Sequence, residues 1–192
     1  MSLKYQIGSI GWCSFESLVQ TLLKCIIGPG VTSFGGSVDQ GRDATFEGTA
    51  DYPSGSTKLS GKWIFQVKYI DIEIGDVVAR TALKANLKKE LKLILTKNRS
   101  IFNGRIDNYI LITDVPLTAK NRDEFQILVE EENFVNNFRI IDGDEVCEFL
   151  SKYPDIRRSY PQLLGLADLD VIVNRELYIQ SQVYMLDWQP RL

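Results

Sequence analysis

The 192-residue chain is 44% apolar and 24% charged, which suits a globular domain with a real core and leaves no run long enough to cross a membrane. A formal net charge of −3 is too small to assign a partner by bulk charge alone. Histidine is absent, which removes Ser-His and Cys-His hydrolases, HNH-type nucleases and His-ligated zinc sites together. Any chemistry must therefore use carboxylates, lysine, amides, hydroxyls or a metal held by oxygen.

The opening MSLKYQIGSIGWC has no basic start followed by an apolar stretch, so a cytoplasmic protein is expected. Residues 14–27, SFESLVQTLLKCII, place Phe15, Leu18, Val19, Leu22, Leu23 and Ile26 at helical spacing, with Ser14 as N-cap and Glu16 in the first turn. On such a helix Cys13 and Cys25 stand ~18 Å apart, far beyond the ~7 Å a disulfide allows. With Cys147 they read as buried free thiols.

GPGVTSFGGS then breaks the helix with glycine and proline. It is no P-loop, because Gly61-Lys62 is followed by Trp63 and Ser56 stands where the first glycine should be. RDATFEGTA, 42–50, alternates as a strand with Asp43, Thr45 and Glu47 on one face. DYPSGSTKLSG reads as a turn-rich connector, and KWIFQVKYI, 62–70, as a strand that closes a hairpin.

Residues 76–97 form the longest predicted helix, with Val77, Leu83, Leu87, Leu91 and Leu95 on one stripe beside Ala85 and Ile94. Lys84, Lys88 and Lys92 occupy a second row. From Asp76 to Arg105 eight basic residues face only Asp76 and Glu90, a local balance of about +6. A solvated face explains this; phosphate contact by Lys84, Lys88, Lys92 or Arg99 is the functional alternative. Strands at 108–115 and 138–142 alternate with helices at 121–134 and 144–153, which argues an α/β fold with a mixed central sheet. The stretch after Gly165 reads as an extra helix, a dimer arm or a lead into a further domain. Trp12, Trp63 and Trp188 are expected as core or interface anchors.

The period of two along 62–70 puts Gln66 and Lys68 on one face, opposite Phe65, Val67 and Tyr69. An ammonium there is costly unless carboxylates face it, and Asp43 on the neighbouring strand can do so. A carboxylate, an amide oxygen and the Val67 carbonyl suit a hard cation such as Mg²⁺, with Lys68 beside it. That set fits phosphodiester hydrolysis. A structural ion pair with a strand amide is the bland alternative.

Glu16 on a first helix, GRD with Asp43 and QVK with Gln66 and Lys68 occur in an order that resembles the PD-(D/E)xK nucleases, and more narrowly their Mrr-like restriction endonuclease branch. The likeness spans roughly residues 8–160. It implies a restriction-endonuclease-like αβββαβ core over 8–164, with 165–192 as an extension, linker or dimer arm. It implies a Mg²⁺- or Mn²⁺-dependent endonuclease cutting DNA, double-stranded by preference, in restriction or anti-phage defence. Asp43, Gln66 and Val67 would bind the metal, Lys68 would be the catalytic lysine, and Glu16 would assist the metal or hold the lysine. Gln66 stands where most relatives carry Asp or Glu, which removes one negative charge. Asp39 and Glu47 have no counterpart and are left as substitutes or surface charges. A homodimer and a C-terminal sensor or NTPase domain beyond this chain are further implications. The alternatives are an inactive module of the same fold that binds DNA or assembles a complex, and a nucleotide- or RNA-directed hydrolase.

Overall fold

A computed structural model describes residues 5–34, 42–54, 56–70, 75–97, 106–164 and 166–187. Five strands form one open sheet in the order β1 (Thr32–Ser33), β2 (Ala44–Ser54), β3 (Thr57–Lys68), β4 (Ile106–Thr113) and β5 (Val135–Ile141). The first three pair antiparallel, and β3, β4 and β5 run parallel. Helices α1 (Gly11–Ile26), α2 (Asp76–Lys97), α3 (Ala119–Glu131), α4 (Gly143–Lys152), α5 (Pro154–Arg158) and α6 (Leu166–Asp187) complete the chain. The fold is α/β with a mixed sheet flanked by helices. Among the described residues no helix is long and apolar enough to cross a membrane.

The alternation of β3 builds two cores. Trp63, Phe65 and Val67 point to one face, where Phe15, Leu18, Leu22 and Leu23 of α1 and Val146, Cys147 and Leu150 of α4 cover them. Ile64 points to the other, with Tyr109 and Leu111 of β4, under Leu83, Leu87 and Leu91 of α2 and Phe125 and Val129 of α3. Ala79, Leu83, Leu87 and Leu91 repeat every four residues, so one stripe of α2 is buried.

The β3–β4 register is fixed at its far end from Lys68. Asp107 Oδ2 accepts the Lys62 N–H at 2.9 Å, and Asp107 Oδ1 accepts from Asn136 Nδ2 at 3.0 Å. Gly61, at φ +111°, leaves room for that carboxylate, because a Cβ there would overlap it.

Several expectations are corrected. Helix α1 starts at Gly11, after Ile10 and without a side-chain cap, so Ser14 is interior and Glu16 falls beyond the first turn. The glycine at its start sets the backbone where Ser14 was expected to cap. The connector 51–61 is largely strand, since β2 and β3 continue pairing to Ser54 and Thr57 through an irregularity between Ala50 and Pro53. Cross-strand pairing there overrides the local turn signals. Val77 is 74% exposed, so the buried stripe of α2 begins at Ala79, and Ala85 is also exposed. Cys13 and Cys25 are exposed on the outer side of α1, and Cys147 alone of the three is buried. Trp63 is a core anchor, whereas Trp12 is exposed. Trp188, Asp39 and Arg99 lie outside the described residues. The stretch after Gly165 is helical: Asp168, buried near the start of α6, pairs with Arg157 and Arg158.

Candidate active site

Asp43 immediately precedes β2 and extends its ladder, its N–H donating to the Phe65 carbonyl at 3.0 Å. Ala44 pairs with Phe65 and packs in the α1-side core, so Asp43 is opposite Gln66 and shares its face. Asp43 Oδ2 accepts from Gln66 Nε2 at 2.6 Å and from the Val67 N–H at 2.6 Å. The carboxylate is thus fastened at two points to the strand beside it, which offsets the cost of burying it.

A strand residue sends its N–H and C=O to the same neighbour. The Val67 carbonyl therefore faces the edge on which Asp43 sits. Two residues on from Gln66, and ~6.6 Å along the same face, Lys68 places Nζ 2.8 Å from Glu90 Oε1 of α2. Both side chains are only 20% exposed, well shielded from salt and solvent.

Glu90 is the residue the sequence reading did not place in the site. It counted only as one of two acids in a basic segment. Its signal was positional: at 100° per residue, Glu90 lies ~120° from Lys84, on the other flank of the buried stripe. That flank borders β3, where an unpaired ammonium was known to require an acid.

Three buried polar atoms of this region have no hydrogen-bond partner among the described residues: Gln66 Oε1, Glu90 Oε2 and the Tyr109 hydroxyl. Gln66 is 1% exposed and Tyr109 fully buried. Burial first, and then the negative charges of Glu90 and Asp43, hold the Tyr109 phenol well above its ordinary pKa. The residues fit a hard cation by donor type, since a carboxylate pair and an amide oxygen are oxygen ligands. Among the described residues no group of three or more Asp, Glu, Cys or His side chains forms a metal cluster, so such a site depends on the amide and backbone oxygens.

The remaining expected residues fall elsewhere. Glu16 belongs to α1, in the layer on the opposite face of the sheet, and accepts from Gln20 Nε2 at 3.1 Å. The carboxylate on the Lys68 ammonium is Glu90. Lys84 Nζ is 2.9 Å from Glu124 Oε2 of α3, and this hydrogen bond and charge hold the Glu124 carboxyl below its usual pKa. Lys88 lines the same small α2–α3 cleft, of about 220 Å³, together with Glu124 and Glu131. Two of the expected phosphate contacts thus adjoin acids of a neighbouring helix; Lys92, a turn further on, is exposed.

A larger cleft, of about 400 Å³, includes Thr32, Arg42, Thr45, Glu47 and Lys62 in its lining, which Arg42 reaches from the position before Asp43. On this face of β2, Glu47 and Thr49 are exposed, so α2 and α3 leave that half of the sheet uncovered. Glu47 pairs in register with Lys62 across the hairpin. No protein-family model, curated protein or solved structure matches the chain.

Proposed function

We propose that the chain is a Mg²⁺- or Mn²⁺-dependent DNA endonuclease domain of the PD-(D/E)xK type, Mrr-like, with Asp43, Gln66 and Lys68 at its centre. The observation that carries this reading is the placement of those three side chains on one face of adjacent strands, Asp43 bonded to Gln66 and Lys68 held by Glu90, at the rim of an uncovered half-sheet. The order of the first major elements, a helix, three strands, a helix and a strand, agrees with it.

Asp43 is held by the Val67 N–H and the Gln66 amide, so its carboxylate is fixed in place without needing to reorganise. Asp43, Gln66 and the Val67 carbonyl would hold the cation, which when bound lowers the pKa of a water and neutralises charge on a phosphate. Lys68 is held in a salt bridge with Glu90, and its Nζ would meet charge developing on a phosphate oxygen. Arg42 and Lys62 line the adjoining cleft and supply the positive charge a DNA backbone requires there, in place of Lys84 and Lys88.

A second reading has its own support: Lys68 and Glu90 make a close structural ion pair, as an inactive module of the same fold would retain. Plasmid nicking separates the two. With Mg²⁺ or Mn²⁺, wild type is expected to cleave, and Lys68→Ala and Asp43→Ala to fall by at least about a hundredfold. Equal cleavage by all three proteins overturns the assignment of Asp43 and Lys68, and none by wild type leaves the inactive module.

A further inference from the structure

We infer that Glu90 is a carboxylate ligand of a divalent cation, sharing it with Gln66 Oε1 and Asp43; the inference rests on the nuclease reading and adds to it a residue from α2. The first support is hydrogen-bond accounting. Gln66 Nε2 is committed to Asp43, so the other end of a 99%-buried amide presents an acceptor with no partner. Glu90 repeats the pattern: Oε1 is committed to Lys68, and Oε2 is buried without a partner. Native interiors rarely leave such acceptors unmet, because burying one without a donor or a cation is costly. A cation meets two acceptors at once, which a donor on either side chain alone does not.

The second support is charge. With Glu16 on the opposite face of the sheet, Asp43 and Lys68 cancel and Gln66 is neutral, so the expected residues that remain on this face carry no net charge toward a cation. Glu90 makes the cluster net negative, as a divalent site requires. It supplies from the helix the charge that glutamine withholds from the strand. Gln66 and Lys68 share one face of β3, the first bonded to Asp43 and the second to Glu90, which brings both carboxylates to that face of the sheet.

The experiment is Mn²⁺ titration of the full chain by calorimetry, with Mn²⁺ electron paramagnetic resonance as a second readout. Wild type, Glu90→Gln, Glu90→Asp, Lys68→Met and, as an exposed acid from α3, Glu131→Gln are compared, each checked for folding by circular dichroism. Wild type should bind one ion. Glu90→Gln should weaken binding at least tenfold, Glu90→Asp by a smaller factor, while Lys68→Met binds as tightly or more tightly and Glu131→Gln is unchanged. The Lys68 variant shows that any loss at Glu90 is not relayed through the ammonium. Should Glu90→Gln fail to fold, Glu90→Asp decides, and wild-type affinity in it overturns the assignment. Full affinity in Glu90→Gln overturns it too but leaves the nuclease reading standing on Asp43 and Gln66. Absence of Mn²⁺ binding by wild type at millimolar concentration overturns both, and the unmet oxygens then belong to a water-filled polar pocket.

Discussion

The two faces of β3 come from the same seven residues and have opposite character. Toward α1, Trp63 and Phe65 stack with ring centroids 6.0 Å apart, and Val67 and Tyr69 continue an apolar column. Toward α2, the column begins apolar at Ile64 and turns polar at Gln66 and Lys68, where it meets Asp43 and Glu90. One face holds the molecule together by excluding water. The other buries charge and leaves oxygens without partners at its end, a cost that stability alone does not explain. What the difference teaches is that the polar end is the part of β3 the proposed chemistry would use, and it is open to direct attack by substitution.

The largest effect is expected on the dry face. Trp63→Ala should destabilise the protein by about 3–5 kcal/mol in urea unfolding, since a fully buried indole leaves a cavity beside Phe65 and Phe46. A loss below about 1 kcal/mol would contradict the contrast. On the polar face the sign reverses. The double variant Lys68→Met/Glu90→Leu removes a largely buried ion pair and replaces it with apolar volume, and should raise stability by about 1 kcal/mol while abolishing cleavage. A marked loss of stability would mean that the pair holds the fold.

The smallest effect concerns pH. The folded-state pKa of Tyr109 is raised above that of the unfolded chain, so its contribution is complete below pH ~10 and declines as pH rises beyond it. Urea midpoints of wild type should therefore fall between pH 10 and 11, and Tyr109→Phe should flatten that decline. An identical slope in the variant would place the alkaline sensitivity elsewhere.

The strand alternation was legible in the sequence because period two is a property of the backbone: Asp43 beside Gln66, and Lys68 away from Phe65, follow from counting. The long helix at 76–97 was equally plain. The extent of the hairpin was hidden, because Tyr52, Pro53 and Ser54 carry turn chemistry that only cross-strand pairing to Lys58 and Thr57 overrides. Glu90 was hidden for another reason. Its relation to Lys68 spans 22 residues and depends on how α2 rotates over the sheet, which is set by Leu83, Leu87 and Leu91 packing on β4. The same rotation turned Lys84 toward Glu124, a pairing that a charge count along one helix cannot register.

Gly61 and Asp107 carry a consequence well beyond their own turn of chain. A slip of one residue between β3 and its neighbours would exchange the two columns of side chains, sending the amide and the ammonium into the aromatic layer. The carboxylate clasp on the Lys62 N–H stands against such a slip from six residues, or ~20 Å, away from Lys68. The orientation of Gln66 and Lys68 is thus partly inherited from a residue without a side chain at the opposite rim of the sheet, a position that touches neither of them.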